Sequence, residues 1–274
     1  MAEKVWLITG TSRGFGRAWA EAALARGDLV AATARDLSTL DALVDEYGEA
    51  VLPLELDVTS RDACFAAVEG AHRTFGRLDV VVNNAGYGHF GFIEEVTEAE
   101  ARAQIDTNLF GALWVTQACL PYLRAQGFGH IVQVSSIGGI SAFQMTGWYA
   151  ASKWALEGFS QALAQEVARF GIKVTLVEPG GYDTDWAGSS AVRSSGLADY
   201  DEARREAQEA RAKRVSSPGD PAASAAALLR VVDAEEPPLR VFFGKAPLAI
   251  ARADYESRLE NWEKWQDVAE LAQG

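Results

Sequence analysis

Tyr149 and Lys153 stand four residues apart and carry side chains that could together transfer a proton. In a helix, residues four apart lie on one face, so the ammonium of Lys153 would lie near the phenol of Tyr149. A free phenol has a pKa of about 10, and bringing it to about 7 requires about 4 kcal/mol in favour of the phenolate. A nearby cation in a partly dry cleft could supply that energy. The spacing alone is weak evidence, because such a pair also arises by chance on a surface helix.

A glycine-rich turn lies between the first apolar run and an alanine-rich segment. Residues 4–9 predict a buried strand, and residues 18–26 predict a helix that ends at Gly27. Glycines let the backbone turn tightly and approach a ligand, while a helix N-terminus offers free N–H groups. The spacing G-x-x-x-G-x-G departs from the usual dinucleotide fingerprint. We interpret the turn as a phosphate-binding loop that includes Gly10, Ser12, Arg13, Gly14, Phe15 and Gly16.

The pair and the glycine turn belong to a set of six motifs that resembles the short-chain dehydrogenase/reductase family. In chain order these motifs are Thr9-Gly10-x-x-x-Gly14-x-Gly16, Asn83-Asn84-Ala85-Gly86, Asn108, Ser136, Tyr149-x-x-x-Lys153 and Pro179-Gly180. The resemblance covers about residues 4–182. It implies hydride transfer between a nicotinamide cofactor and a carbonyl carbon. It also implies a homodimer or homotetramer formed through paired helices.

The resemblance implies roles for four catalytic residues. Tyr149 is expected to act as general acid in reduction and as base in oxidation, an effect typically worth ~10²–10⁴-fold. Lys153 is expected to shift the tyrosine pKa and to bind the nicotinamide ribose, and Ser136 to donate to the substrate oxygen. Ser135 competes for that role, but the family spacing of thirteen residues before the tyrosine selects Ser136. Asn108 matches the family asparagine that holds a relay water; an ordinary polar helix residue is the alternative.

Further cofactor contacts follow from the resemblance at the ends of later strands. These positions are Asp57, Val58, Asn83, Ala85, Gly86, Pro179, Gly180 and Thr184. Residues after the third strand are expected at the adenine, those after the fourth at the adenosine ribose, and those after the sixth at the nicotinamide. The threonine is expected to touch the carboxamide, although the preceding Gly181-Tyr182-Asp183 is less typical of the family. Asn and Gly also favour ordinary strand-to-loop turns, so the fourth-strand motif has a structural interpretation as well.

The end of the second predicted strand indicates which nicotinamide cofactor fits. A carboxylate there would hydrogen-bond the ribose 2′-hydroxyl and repel a 2′-phosphate. This sequence has Ala34 at that position and Arg35 after it, with Arg13 available from the glycine turn. Two guanidinium groups suit a dianionic phosphate, so we expect NADP(H). The alternative is that Arg35 pairs with Asp36 and that Arg13 is an exposed loop residue.

Val/Ile/Leu-rich runs alternate with helical stretches along the chain. Predicted strands cover residues 4–9, 29–34, 51–56, 78–83, 130–135, 172–178 and 239–243, and predicted helices cover 38–47, 60–76, 98–126, 147–170 and 219–233. Such apolar strands are typical of a doubly wound parallel sheet covered on both faces, an α/β Rossmann fold with three layers. We expect one domain over residues 1–274, with ligands bound beyond the carboxyl ends of the strands.

Composition excludes several classes of function. The net charge of −13 argues against a nucleic-acid surface, which requires clustered Lys and Arg. No stretch approaches about eighteen apolar residues, and no leader-like segment is found, so we expect a cytoplasmic protein without membrane contact. Two cysteines suggest a reducing compartment, and three histidines without a metal-binding spacing predict no metal site.

The substrate is the least determined part. Residues 185–217 are expected to form a mobile lid, in which residues 200–214 are so charged that they predict a solvated helix face. The side chains expected in an apolar, aromatic cleft are Tyr87, His89, Phe90, Phe92, Ile137, Ile140, Phe143, Met145, Trp148, Trp186, Val192 and Leu197. Core packing explains any one of them equally well. A tail over residues 245–274 is expected to present an apolar helix face to the domain or to another subunit.

Three functions follow from these expectations. The first is NADPH-dependent reduction of a ketone or aldehyde carbonyl in a hydrophobic small molecule. The second is NADP-dependent oxidation of a secondary alcohol, because the same site works in both directions. The third, of a different class, is a non-catalytic NADP(H)-binding sensor. The joint presence of Asn108, Ser136, Tyr149 and Lys153 argues against the sensor, which needs no proton donor.

Overall fold

Seven parallel strands form the central sheet in the computed structural model, which describes residues 3–215 and 217–274. Met1, Ala2 and Ser216 lie outside the described residues, although the predicted domain and lid include them. The strands in chain order are β1 (Val5–Ile8), β2 (Leu29–Ala34), β3 (Val51–Glu55), β4 (Val80–Asn83), β5 (His89–Phe90), β6 (Gly129–Val134), β7 (Ile172–Pro179), β8 (Val192–Arg193) and β9 (Arg240–Phe243). The sheet order is β3-β2-β1-β4-β6-β7-β9. The predicted doubly wound α/β fold is confirmed.

Helices cover both faces of the sheet. They are α1 (Gly14–Ala25), α2 (Asp41–Tyr47), α3 (Arg61–Phe75), α4 (Glu98–Ile105), α5 (Gly111–Gln126), α6 (Gly147–Val167), α7 (Asp201–Arg214), α8 (Pro221–Val232), α9 (Pro247–Lys264) and α10 (Gln266–Gln273). Side chains of a strand alternate between faces, so Trp6 and Ile8 of β1 join the core with α1 and α8. Val5 and Leu7 join the opposite core with α3, α5 and α6.

The strand order changes direction beside β1, and this positions the site. β1 pairs with β2 on one side and with β4 on the other, so successive crossovers leave the sheet in opposite directions from β1. In an open parallel sheet such a switch point leaves a crevice beyond the carboxyl ends of the strands. Ile8 at the end of β1 lies beside Ala32 and Val82. The loops after β1, β2 and β4 therefore border one crevice.

The prediction of a single helix over residues 98–126 is wrong in one detail. A π-helical turn, Asp106–Phe110, separates α4 from α5 and contains Asn108. Such a turn inserts an extra residue into the helix and redirects side chains, and it is frequent at functional sites. An apolar pattern with a helical period does not reveal it, because the period is disturbed over only five residues.

Two short strands were not predicted: β8 lies in the lid, and β5 lies in the segment after β4. β5 and β8 form a separate parallel pair, in which His89 lies opposite Val192 and Phe90 opposite Arg193. Each strand has only two residues, so neither carries a detectable alternation. The pair attaches the start of the lid to the segment that follows β4.

The tail forms α9 and α10 and leaves its large apolar side chains exposed. Trp262 is 58% exposed, Trp265 56% and Leu271 80%. Arg258 connects α9 to the domain, since its guanidinium donates to the Ile140 carbonyl and lies over the Trp154 ring. No helix in the described part of the chain combines the length and apolar character needed to cross a bilayer.

Candidate active site

A cavity of about 690 Å³ opens beyond the carboxyl ends of the central strands. It is lined by most of the predicted site residues, namely Gly10, Ser12, Arg13, Gly14, Phe15, Arg35, Asp57, Val58, Ala85, Gly86, Ser136, Tyr149, Lys153, Pro179, Gly180 and Thr184. Gly16, Asn83 and Asn108 do not line it. The cavity is therefore long enough to connect the glycine turn with the tyrosine.

The glycine turn leads directly into α1 and requires its glycines. Gly10 and Gly14 have φ angles of +71° and +62°, a region that side chains disfavour. A Cβ built on Gly10 would lie 3.1 Å from the Ala85 Cα. A Cβ on Gly16 would lie 2.6 Å from the Asn84 Nδ2, so Gly16 serves helix packing rather than ligand contact. Helix α1 begins at Gly14, which lines the cavity, so a helix N-terminus lies at the cavity wall.

The two arginines that were predicted to bind a cofactor phosphate, Arg13 and Arg35, differ in their partners. Arg13 forms an exposed ion pair with Asp185, with 3.0 Å between the Nη1 and Oδ2 atoms. Asp36 accepts instead from the Ser38 backbone N–H and hydroxyl, at 3.0 and 2.7 Å. The alternative pairing of Arg35 with Asp36 is thus not the one observed. Arg35 is exposed at the cavity edge, and the described residues include no ion-pair partner for it.

Tyr149 lies in the first turn of α6 and is buried, with Ser136 and Lys153 beside it. A Cβ built on Gly138 would lie 3.1 Å from the Tyr149 Cε1 and 3.3 Å from the Ser136 Oγ, so the two side chains meet at this glycine. The Ser136 hydroxyl accepts from the Gly138 N–H at 3.0 Å. Lys153 donates from Nζ to the Val134 carbonyl at 2.8 Å.

The expected shift of the Tyr149 pKa by Lys153 stays a prediction, because burial has the larger effect in this arrangement. Burial raises the pKa of Tyr149 to about 12, and a hydrogen bond with the Ser136 side chain is the opposing effect. Burial lowers the pKa of Lys153 to about 8, against the attraction of the Glu157 charge. The Lys153 Nζ lies 5.9 Å from the Tyr149 ring centroid, and it donates a hydrogen bond to the Val134 carbonyl. Desolvation of the phenolate therefore dominates at the tyrosine.

Two buried glutamates, Glu157 and Glu178, pair with Arg240 and were not singled out from the sequence. Glu157 follows the lysine by one turn of α6 and accepts from the Arg240 Nε at 2.9 Å. Burial and the neighbouring Glu157 charge raise the pKa of Glu178, although Arg240 lies 3.5 Å away. The signal in the sequence was a lone glutamate at the end of an apolar strand, which indicates a buried carboxyl group.

Asn108 is held by local hydrogen bonds in the π-helical turn. Its Oδ1 accepts from the Tyr87 N–H at 3.1 Å, and its Nδ2 donates to the Tyr87 carbonyl and to the Ser152 hydroxyl. A Cβ on Gly86 would lie 3.0 Å from the Asn108 Oδ1 and 3.7 Å from the Lys153 Nζ. The amide and the ammonium thus approach the same glycine.

The lid begins with Trp186, which covers the tyrosine. Its ring lies edge-on to the Tyr149 ring at 4.9 Å between centroids and edge-on to the Phe90 ring at 5.4 Å. A Cβ on Gly88 would lie 2.6 Å from the Trp186 Cζ2, so only glycine accommodates the indole there. Thr184 precedes this segment and accepts from the Trp186 N–H.

Residues 4–193 match the sequence profile of the family described as short chain dehydrogenase. The chain belongs to this family. Oxidoreductase BOA17 of Botryotinia fuckeliana (strain B05.10) is 44% identical over 268 residues, which cover 97% of this chain and 98% of that protein. A 3-ketodihydrosphingosine reductase of Bacteroides thetaiotaomicron is 36% identical, with 89% of each chain covered. A short-chain dehydrogenase structure from Streptomyces avermitilis has a TM-score of 0.91 at 40% identity and covers 98% of each chain.

The family assignment makes the protein an oxidoreductase. Solved structures at 25–26% identity with TM-scores of 0.74–0.81 contain 5-hydroxy-NADP, NAD or NADH. Members of this structural neighbourhood therefore bind nicotinamide dinucleotides of both kinds.

In this short-chain dehydrogenase the two asparagines at the end of β4 differ, because Asn83 is its last residue and Asn84 follows it. Asn83 is buried in the sheet and donates to the Thr116 hydroxyl at 3.0 Å, so its predicted contact with a cofactor does not fit its position. Asn84 lines the cavity, and its Nδ2 donates to the carbonyls of Thr9 and Gly10 at 2.9 and 3.0 Å. Asn84 stabilises the glycine turn and was missed, because adjacent asparagines in a motif cannot be told apart without the strand register.

Only part of the predicted aromatic cleft lines the main cavity of this short-chain dehydrogenase. Tyr87, Ile137, Phe143, Trp186 and Val192 do so. His89 is buried and bonds the Ser194 hydroxyl at 3.0 Å, which leaves it out of the cavity. The other cleft candidates that the main cavity excludes are Phe90, Phe92, Ile140, Met145, Trp148 and Leu197.

The end of α7 departs from the solvated helix face that was predicted for residues 200–214. Residues 200–214 are not simply a solvated face, because Arg211 and Arg214 line the same cavity as Tyr149. The opposite face of α7 is exposed, as the charge pattern predicts. A helix with charges on every side gives no indication of which ones the fold turns inward.

Proposed function

We propose that this short-chain dehydrogenase uses NADPH to reduce the ketone or aldehyde carbonyl of a hydrophobic small molecule to the alcohol. The observation that carries the proposal is the convergence of Ser136, Tyr149 and Lys153 on one cavity whose other end is the glycine turn. Aromatic side chains, Trp186 and Phe143, border the space beside the tyrosine. That space suits an apolar substrate.

The residues at the dinucleotide end fit NADP(H). Gly10 and Gly14 have φ angles that side chains disfavour, and α1 begins at Gly14 on the cavity wall, where a helix N-terminus can bind an anion. At the end of β2 the cavity is lined by Ala34 and Arg35, with no carboxylate to repel a 2′-phosphate at those two positions. Arg13 could join Arg35 if its exposed pairing with Asp185 opens. A bound nicotinamide supplies the hydride.

The three side chains at the tyrosine end of the cavity would donate the proton and stabilise the charges that develop. With its pKa raised to about 12, Tyr149 is protonated at neutral pH and can donate to the carbonyl oxygen. Ser136 can donate a second hydrogen bond to the alkoxide charge that develops there. Lys153, whose pKa is lowered to about 8, is still mostly cationic at neutral pH and stabilises the phenolate that remains.

A panel of ketones, aldehydes and quinones tests the proposal through loss of NADPH absorbance. We expect turnover of apolar members, and a decrease of about 10²–10⁴-fold in kcat for Tyr149→Phe with NADPH binding retained. The sensor function would be supported instead by NADPH-dependent thermal protection with no turnover in the panel. Activity only on secondary alcohols with NADP⁺ would support the oxidative function.

We propose further that residues 1–274 act as one domain within a homodimer or homotetramer. The support is the exposure of Trp262, Trp265 and Leu271 on α9 and α10, because isolated proteins rarely leave so many large apolar side chains in water. Light scattering should give a multiple of the 29.5 kDa chain mass. A Trp262→Glu, Trp265→Glu variant should give a smaller species if these helices form the contact.

A cytoplasmic location is part of the proposal. Cys64 and Cys119 are free and buried, and burial raises the pKa of Cys64 to about 12. Unpaired thiols are typical of a reducing compartment. Fractionation of producing cells would test the location.

A further inference from the structure

A second cavity, of about 370 Å³, adjoins the main cavity at the substrate end. Thr146, Arg211 and Arg214 line both cavities. Thr146 lies immediately before α6, three residues before Tyr149, so the second cavity lies close to the catalytic tyrosine. We call this second cavity the arginine pocket.

Arginine is the only ionisable residue type among the described lining of the arginine pocket. Its four arginines are Arg193, Arg204, Arg211 and Arg214, and no carboxylate residue of the described part of the chain lines it. Gln144, Ser194 and Gln208 add uncharged polar groups. Four arginines around one cavity contrast with the net charge of −13 of the whole chain.

Two of the four arginines have protein partners. Arg204 pairs with the buried Glu95, which also accepts from the Leu197 N–H. Arg193 donates to the carbonyls of Ala187 and Gly188 at the start of the lid. Both side chains are therefore used to hold the lid segment and α7 in place.

Arg211 and Arg214 have no ion-pair partner among residues 3–215 and 217–274. Instead, Arg211 lies over the Phe90 ring at 5.2 Å and Arg214 over the Phe143 ring at 4.3 Å. Burial lowers the pKa of Arg211, as do the charges of Arg214 and Arg193. Arg211 is half-buried and Arg214 is exposed at the cavity. Two neighbouring guanidinium groups without counter-charges can bind an anion.

The two arginines are aligned with the reaction site. Trp186 contacts both the Tyr149 ring and the Phe90 ring, and Phe90 in turn lies under Arg211. An apolar molecule passing along this aromatic wall from the tyrosine would place its far end at the guanidinium groups. Stacking on rings holds each guanidinium plane and leaves its N–H edges free to donate.

We propose that Arg211 and Arg214 bind an oxyanion, a carboxylate or a phosphate monoester, on the end of the substrate remote from its carbonyl. The inference rests on the proposed carbonyl reduction and narrows its substrate class to oxo compounds with an apolar body and an anionic terminus. It adds a specificity-determining pair that lies outside the catalytic set.

Matched substrates test the proposal in the full-length enzyme. Oxo acids, their methyl esters and oxo-alkyl phosphates of equal chain length are compared in an Arg211→Gln, Arg214→Gln double variant and in Arg205→Gln. Arg205 is exposed on the same helix and lines neither cavity, so it controls for the loss of charge. We expect the double variant to lower kcat/KM for the acid or the phosphate by about 10- to 100-fold, as the loss of charge-assisted hydrogen bonds requires. For the methyl ester, kcat/KM in the double variant should change by less than about twofold. The kcat/KM of every substrate should change as little in Arg205→Gln.

The comparison of acid with phosphate identifies the preferred oxyanion. Equal loss for acid and ester, or a raised KM for NADPH in the double variant, would overturn the proposal. So would a wild-type enzyme that reduces esters as well as acids.

Binding measured without turnover separates this proposal from the reductase function. Calorimetry with an alkyl carboxylate and an alkyl phosphate should show binding to the wild type that the double variant loses and that weakens with salt. If no oxo compound is reduced but this binding persists, the anion site stands and the reductase function fails. If reduction occurs and no anion binds, the anion site fails alone.

Discussion

The indole of Trp186 lies edge-on against the phenol ring of Tyr149, with 4.9 Å between the ring centroids. The indole thereby shields the tyrosine, which is buried, from water. Because burial is the largest cause of its raised pKa, the lid contributes to keeping the phenol protonated.

Replacing Gly88 by alanine should displace the indole, because the added Cβ would lie 2.6 Å from the Trp186 Cζ2. We expect a loss of about tenfold or more in kcat/KM, with NADPH binding little changed, since a small misplacement of a covering group is costly. Gly158→Ala is the matched control, because a Cβ there meets no atom within 4 Å. Equal activity of the two variants would show that the indole position is unimportant. Quenching of tryptophan fluorescence by acrylamide would report the displacement directly.

Replacing Ser136 by alanine removes the hydrogen bond that lowers the pKa of Tyr149. The pKa of the tyrosine should then rise further, so alcohol oxidation, which requires the phenolate, should begin only at higher pH than in the wild type. Carbonyl reduction at neutral pH should fall by about 10²–10³-fold, because a donor to the developing alkoxide is lost. Ser135→Ala distinguishes the two serines: its hydroxyl has no partner among the described residues. A larger loss in Ser135→Ala than in Ser136→Ala would reverse the assignment.

Replacing Arg35 by aspartate should reverse the cofactor preference. The new carboxylate at the end of β2 would repel a 2′-phosphate and accept from a ribose 2′-hydroxyl. We expect kcat/KM with NADPH to fall by about 10- to 100-fold relative to that with NADH. The exposed Arg252, changed to aspartate, controls for the altered net charge. An unchanged ratio in Arg35→Asp, or a wild type that prefers NADH, would contradict NADP(H) specificity.

Replacing Glu178 by glutamine should change how stability depends on pH. Burial and Glu157 raise the pKa of Glu178 in the folded state, so the folded protein holds a proton that the unfolded chain releases above about pH 4–5. The stabilisation from that proton is fully present below the ordinary carboxyl pKa and is lost as the pH rises through the folded-state value. Wild-type Tm should therefore decline between about pH 5 and pH 8 more than the Tm of Glu178→Gln. Glu166→Gln, an exposed change on α6, should follow the wild type, and a parallel decline in all three proteins would refute the assignment.

Strands were predictable because buried parallel strands are continuous apolar runs. β2 and the other sheet strands lie within two residues of their expected bounds. The π-helical turn at Asn108, the two-residue strands β5 and β8, and the break before α10 were not predictable. Each involves only a few residues, too few for a periodic pattern, and each is decided by the elements packed around it.

The sequence by itself determined the α/β fold and indicated the proton transfer that we propose for Tyr149 and Lys153, because these inferences depend on apolar periodicity and on local spacing. Only the tertiary structure decided the electrostatic setting of those groups. It placed Trp186 over the tyrosine, the Val134 carbonyl and the Glu157 carboxylate near the lysine, and Arg211 and Arg214 along the cavity wall. The burial of a group and its distance from charges on remote segments set its pKa and its ability to bind a charged ligand. Both depend on how distant segments pack, so a single stretch of sequence does not reveal them.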